Sequence, residues 1–506
     1  MNRLLLLALF TFLAGSSLLA QTTYTFVSYN VENLFDLDEK AVFEDYMPLD
    51  KDGNAQYSPE DVFNKISNIV SVLKKYNDGK GPDVVAFAEL ESDFTPSHRN
   101  VKTKMFLEKW GNTTFKKMLL EHLNEEIQDI PSEFLLLKAL HDEGLTGYDF
   151  VIGYSEIGKK GPINVQKNAV FSKLPINREK SRLIPIKGAR PIVEAWLDVN
   201  GSPLVVFANH WKSGAGSPKM EEIRVGNAAS LHARLSELRK AQPDLDFILA
   251  GDFNESYNQH LLMKDAAVIA LRDVLKVGGN EMAVAENKTD SLYNIWYEFS
   301  YDKRGSEAYR GELGTLMNII IPSSMYNETG VFYKDNSFAV GAFVGLNVYD
   351  FAFIPKRWDS YGYGSGYSDH LPISMQFSVT DSKKKGKLIL VEPIGKESVK
   401  DAEKIPIEFS VPKKGEYFVL NELNVSYLEK TEYYNQFIYC ELDLNSKNEV
   451  VIGNKKYKVY ASSKMIKEKL DIMREANNGK VKFFGRNTLY KSIWEFIIES
   501  ENHIVD

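Results

Sequence analysis

The chain has 506 residues, a formal net charge of −8 and a single cysteine, Cys440. The negative balance argues against a protein that coats nucleic acid through a broad basic surface, and the lone cysteine excludes an intramolecular disulfide. With roughly 100–150 residues as the common domain size, two domains are expected, or three.

Residues 1–20, MNRLLLLALFTFLAGSSLLA, have a basic start, an apolar stretch from Leu4 to Ala14 and small residues before Gln21, the layout of a secretory signal. That stretch is shorter than the ~20 residues that span a bilayer, and it holds no cysteine for lipidation. A periplasmic or secreted protein is expected, stabilised by core burial alone.

TYTFVSYN, ahead of Glu32, alternates and reads as a strand. Ser58-Pro59-Glu60-Asp61 then supplies an N-cap, a proline at the first helical position and a capping-box acid before Val62, Phe63, Ile66, Ile69, Val70 and Leu73, which predicts an amphipathic helix. DVVAFAEL reads as a buried strand ending near Glu89. Residues 102–141 read as a helical excursion placed to shape a substrate entrance. Strand-like runs follow in DFVIGY, NAVFSKLPI, PIVEAWLDV and PLVVFANH. After a helical stretch from Met220 to Lys240 come DFILAGDF, TLMNIIIP, YDFAFIP and HLPISMQFSV. Such a series fits two packed sheets flanked by helices. DSKKKGK, residues 381–387, reads as a linker between a domain over 21–380 and a β-rich accessory domain over 388–506. From Lys383 onward there are 22 Lys and Arg against 19 Asp and Glu, so the acidic excess lies in the first domain. An acidic site needs a bound cation before it tolerates a phosphate.

Five short polar clusters sit at the ends of apolar runs: SYNVENLF, AFAELES, FANHWKS, LAGDFNE and YSDHLPIS. They supply Asn30, Glu32, Glu89, Asn209, His210, Asp252, Asn254, Asp369 and His370. This inventory suits a hard divalent cation and a phosphate, and with no serine or cysteine standing out as nucleophile, water is the expected attacker. Asn30 and Glu32, like Asp252 and Asn254, are two apart and share a face of an extended strand. In such a pair the acid binds metal or accepts a proton from water, while the amide donates to a phosphate oxygen. Glu89 follows an apolar run, where an unpaired carboxylate is costly, and is preferred over Glu91 as a metal ligand.

Together these motifs resemble the endonuclease/exonuclease/phosphatase superfamily over about Thr22 to Val379. SYNVENLFD is similar to its opening motif, and PDVVAFAELE to its second, with Ala88 in place of the usual glutamine. NAVFSKLPI resembles a strand ending in Ser-x-x-Pro-Ile. ANHWKS, with Arg224 downstream, resembles a bacterial branch, and LAGDFNES and YSDHLPIS match the two most specific motifs. The resemblance implies a four-layer α/β sandwich of two mostly antiparallel sheets flanked by helices, followed by the smaller β-rich domain. It also implies a Mg²⁺ or Mn²⁺ held by Glu89 with Glu32 and Asp369, an oxygen set that suits a hard cation and disfavours zinc. Asp252 would orient or deprotonate the water. Asn30, Asn209, Asn254 and His210 would contact the phosphate, and His370 would stabilise charge or transfer a proton.

One position departs from the pattern. Met317 stands where the family carries the aspartate that orients the histidine, and Asn318 points to the other strand face. Another acid, such as Asp350, is then required, or the chemistry is impaired. The expected activity is that of a nuclease-like phosphodiesterase acting on DNA or RNA. The alternatives are an enzyme of the same fold acting on phospholipid head groups or inositol phosphates, and a non-catalytic binding protein. Tyr361, Tyr363 and Tyr367 beside the last cluster offer rings for stacking.

Overall fold

In the computed structural model, the described residues are 22–38, 57–92, 100–154, 157–158, 161–162, 164–187, 189–288, 290–327, 329–358, 364–380, 398–423, 428–490 and 493–505. The signal expected over 1–20, the linker over 381–387, Tyr361 and Tyr363 lie outside them. Among the described residues no helix is long and apolar enough to cross a membrane.

In chain order the strands of the first unit are β1 (Thr23–Leu34), β2 (Val84–Glu91), β3 (Asp149–Ile152), β4 (Gln166–Ser172), β5 (Arg182–Ile184), β6 (Ile192–Val199), β7 (Ser202–His210) and β8 (Asp246–Asp252). They continue as β9 (Val277–Gly278), β10 (Leu292–Asn294), β11 (Glu307–Tyr309), β12 (Glu312–Gly314), β13 (Met317–Ile321), β14 (Gly330–Tyr333), β15 (Ile373–Thr380) and β16 (Ile405–Pro406). One sheet runs β14-β15-β1-β2-β4-β3, and the other β9-β10-β13-β8-β7-β6-β5.

Parallel pairing at two places positions the site. β1 pairs with β2 in parallel, and β7 with β8. A parallel neighbour needs a crossover rather than a tight turn, and the helices Pro59–Leu73 and Pro218–Ala241 lie in the two connections. The first has the expected capping box, with Asp61 N–H donating to the Ser58 hydroxyl at 3.1 Å. Each parallel pair thereby brings two polar strand ends to one edge.

Three apolar cores make four layers. Phe26, Ala86, Val206 and Ile248 fill the space between the sheets. Ile66, Phe87 and Leu136 join the first sheet to its helices, and Phe207, Leu231 and Phe247 join the second to Pro218–Ala241. The helical excursion is present, ending in Ser132–Asp142, and shares the core of Pro59–Leu73. YDFAFIP, expected as a strand, is irregular. Its Phe351 ring instead meets Phe437 at 4.6 Å.

A further β-rich unit has its strands in the order Tyr417–Val419, Phe437–Asp443, Lys480–Tyr490, Ile493–Ile498, Lys455–Ala461, Glu449–Ile452. Its core contains Ile438, Cys440, Leu470, Phe483 and Phe496. Before entering it, the chain returns to the first unit, where β16 pairs with β12. Asp401 and Arg304, both fully buried, form an ion pair at 2.6 Å, and the Tyr257 hydroxyl donates to the same Asp401 oxygen. Removing one partner strands a buried charge, so Asp401→Ala should lower unfolding free energy by about 3–5 kcal/mol, read as a shift in the urea midpoint. A loss under about 1 kcal/mol would show that the pair does not tie residues 398–406 to the first unit.

Candidate active site

Asn30 joins the two sheets. Its side-chain amide donates to Glu89 Oε1 at 2.9 Å and to Asp252 Oδ2 at 3.1 Å, so both of its N–H groups are used. Its Oδ1 accepts the Glu32 N–H at 2.9 Å. Beyond Asn30 the register of β1 against β2 shifts, and Glu32, Asn33 and Glu89 take left-handed φ values of 50°, 58° and 66°. Asn254 does the same at 49°. Such conformations cost about 1–3 kcal/mol each and persist where the surroundings over-determine them. Here they turn strand ends inward: the Asn33 N–H donates to Glu89 Oε2 at 3.1 Å.

On the second sheet, Asp252 and His210 are register partners on adjacent strands. Gly251, φ 133°, permits that approach, because a Cβ there would stand 2.0 Å from the Asn209 carbonyl oxygen. His210 Nε2 lies 3.6 Å from Glu89 Oε1 and 3.8 Å from Asp252 Oδ2. His370 Nε2 lies 3.7 Å from the same Asp252 oxygen and 3.7 Å from Asp369 Oδ1. Asp252 Oδ1 accepts the Asn254 N–H at 2.7 Å.

The two imidazoles take opposite proton states. Burial, reinforced by Arg190 and His370, holds His210 well below its ordinary range and therefore neutral. Burial also opposes charge on His370, but Asp369, Glu307 and Asp252 outweigh it and hold the ring well above that range. Burial and the Asp369 charge raise Glu89. Glu32 is pushed up to about 7 by burial and Asp369, against the pull of Arg357.

Most of the expected residues converge, with three differences. Asn30, expected on the phosphate, has its amide spent on Glu89 and Asp252. Asn209, expected on the phosphate, faces the interior: its amide donates to the Phe207 and Ala250 carbonyls at 2.9 and 3.3 Å, and its oxygen accepts the Trp211 indole N–H at 3.0 Å. Alternation along β7 sends it away from His210. Glu32 sits at the site, but Arg357 Nε donates to one of its oxygens and the Trp358 N–H to the other at 2.8 Å. Glu91 accepts the Asp36 N–H at 2.7 Å and belongs to the framework.

The required acid behind His370 is Glu307. Its Oε2 lies 3.6 Å from His370 Nδ1, a charge contact too long for a hydrogen bond. The backbones of Glu307 and His370 form a bridge, and the Leu316 N–H donates to Glu307 Oε1 at 2.7 Å. Asp350 instead accepts the Gly345 N–H at 3.1 Å. Met317 lies opposite Asp252 in the β8–β13 register, and the Asn318 amide is spent on the Glu255, Thr315 and Leu316 carbonyls. Glu307 sits in a short hairpin that carries no motif, so nothing in the sequence singled it out. Lys65 was also missed. It is fully buried, its Nζ 4.6 Å from the Trp358 ring centroid; burial lowers it to about 8 against Glu32, Asp369 and Glu89. A lysine on the helical stripe of Val62, Ile66 and Ile69 was a legible signal.

The donor set fits a hard divalent cation. Single ligand atoms of Glu89, His210 and Asp252 lie within 4.8 Å of one another. Asp369 Oδ1 is buried with no hydrogen-bond partner, and negative charge from Asp369 opposes ionisation of Glu89. Carboxylates crowded in this way are relieved by a bound cation. Glu89 belongs to that group of ligand atoms, and the Asp369 charge reaches it.

Residues 188–379 match the model of the Endonuclease/Exonuclease/phosphatase family. The matched segment contains His210, Asp252, Asn254, Glu307, Asp369 and His370. No curated relative matches the chain. Similar solved structures include truncated Caenorhabditis elegans TDP2, 10% identical over 71% of this chain and 98% of that one, TM-score 0.38. D. rerio TDP2 complexed with single strand DNA product is 14% identical over 70% and 99%, TM-score 0.37. An endonuclease/exonuclease/phosphatase family protein from Bacteroides thetaiotaomicron is 15% identical over 71% and 96%, TM-score 0.36.

If Glu307 keeps His370 charged, Glu307→Gln should move the alkaline limb of the kcat profile to lower pH, because a raised pKa falls when its carboxylate is removed. The accompanying loss of kcat should be about 10²-fold. An unmoved limb would contradict the assignment.

Proposed function

We propose that this chain, whose residues 188–379 match the Endonuclease/Exonuclease/phosphatase family model, is a member of that superfamily and hydrolyses phosphate esters by direct water attack, as a metal-dependent, nuclease-like phosphodiesterase. The observation that carries this reading is the setting of Asp252 Oδ2. One buried carboxylate oxygen accepts the Asn30 amide and stands within 4 Å of a neutral and a charged imidazole. That combination offers a proton acceptor beside a proton donor, which hydrolysis of a P–O bond requires.

In this scheme Asp252 orients the water and takes its proton as the water oxygen bonds to phosphorus. His370 stabilises the charge that develops and gives its proton to the leaving oxygen as the P–O bond breaks. His210, neutral and buried, hydrogen-bonds a phosphate oxygen with Asn254. Asn30 acts as a positioning residue, since its donors already hold Glu89 and Asp252. A Mg²⁺ or Mn²⁺ held by Glu89 and Asp369, with Glu32 alongside, supplies neutralisation of phosphoryl charge when bound. Glu307 fills the place left by Met317, which speaks against a purely non-catalytic role.

The layout of residues 1–20 supports an activity outside the cytoplasm, in the periplasm or beyond. Among substrates, a phosphodiester of DNA or RNA is favoured. A half-buried aromatic, Tyr367, lies two residues before Asp369 and offers a ring to a base.

The test is hydrolysis of bis-p-nitrophenyl phosphate and plasmid DNA with Mg²⁺ or Mn²⁺. Chelation should abolish it and added metal restore it, while Asp252→Ala and His370→Ala each lower kcat by about 10²–10⁴-fold. Equal rates in wild type and both variants would sink the catalytic assignment. Cleavage of sphingomyelin or inositol phosphates without any diester of DNA or RNA would move the proposal to those substrates.

A further inference from the structure

A second group of buried oxygen ligands lies outside the site described above. Glu281 opens the helix Glu281–Ala285, Glu298 closes the turn that follows β10, and Asp335 follows β14. One carboxylate oxygen from each lies within 4.8 Å of the others. Glu281 and Glu298 are 2% and 3% exposed, so their charges are removed from water. Tyr326 donates its hydroxyl to Glu281 Oε1 at 2.9 Å, Tyr333 donates to Glu298 Oε1, the Phe338 N–H reaches Glu298 Oε2 at 3.4 Å, and Glu281 also shares a hydrogen bond with Asp335. Arg304, whose charge also reaches Tyr293, is committed to Asp401.

Tyr293 independently points to a ligand. It is fully buried, and its hydroxyl has no hydrogen-bond partner. Burial raises that hydroxyl most, and the negative charges of Glu281, Glu298 and Asp335 raise it next, so it lies in the field of all three carboxylates. A buried phenol that donates to none of the acceptors around it is costly, unless its oxygen faces something that draws on lone pairs.

We propose that Glu281, Glu298 and Asp335, with the Tyr293 hydroxyl oxygen, form a structural binding site for a hard divalent cation of the calcium class. The donors are all oxygen, with no cysteine or histidine among them, which excludes a zinc-type set. Calcium accepts irregular cages of six to eight oxygens, whereas magnesium demands a near-octahedral shell and keeps its waters. The position gives the cation a mechanical role. β10 and β14 belong to different sheets, so a cation shared by the segments after them fastens the two sheets at one edge. The assignment is independent of the reaction at Asp252.

Terbium in place of calcium tests it, because Tyr326 and Tyr333 donate to the carboxylates themselves and sensitise terbium emission. Full-length Glu89→Gln protein removes a ligand of the first site. It should retain sensitised emission, calcium should displace the terbium, and millimolar calcium should raise Tm by roughly 2–5 °C. Adding Glu298→Gln should reduce emission at least 10-fold and remove the calcium response. Should that variant not fold, the calcium displacement and Tm shift in Glu89→Gln protein decide alone. Emission lost with Glu89→Gln, or a Tm indifferent to calcium, overturns the proposal and leaves the three carboxylates sharing protons.

Discussion

The Asn30 amide, held between Glu89 on one sheet and Asp252 on the other, is the contact on which the rest of the site depends. Two sheets packed through apolar side chains slide at little cost, because burial is non-directional. A two-pronged hydrogen bond to carboxylates is directional and charge-assisted. It fixes the strand ends of β1, β2 and β8 relative to one another, and Ser368 extends the same fixation by donating its hydroxyl to the Asn30 carbonyl at 2.7 Å. The His370 N–H in turn donates to Ser368 Oγ at 3.1 Å, so the final cluster is hung from the first.

Electrostatics then divides the labour between two chemically identical side chains. His210 and His370 reach the same oxygen at nearly equal distance, yet one is flanked by Arg190 and Lys212 and the other by Asp369 and Glu307. Opposite surroundings push paired titratable groups apart, which is how one pocket carries an acid and a hydrogen-bond donor at the same pH. The acid excess that results is tolerable only with a counter-charge. Lys65 and Arg357 supply part of it, and the remainder is what the metal would provide.

Much of this was legible in the sequence because the clusters stand at the ends of apolar runs, where strand alternation dictates direction. Asn30, Glu89, His210, Asp252 and His370 converge for that reason, and the layers follow from helical spacing around Ile66 and the strand runs. Three features were not legible. Asn209 obeys the alternation of β7, but its neighbour His210 drew both into one motif. Glu307 reaches His370 only through a tertiary bridge, which no local pattern encodes. Asp401 lies just past the expected linker, yet meets Arg304, because a buried ion pair links segments whose separation along the chain carries no signal.

In the proposed mechanism Asn30 couples the metal-binding carboxylate to the one that handles the proton. The most direct measurement is the Mn²⁺ dependence of diester hydrolysis by Asn30→Ala, set against wild type. Half-saturating Mn²⁺ should rise and kcat should fall together, each by about 10-fold or more. Wild-type values for both would contradict it, since the two carboxylates would then hold their places without the amide between them.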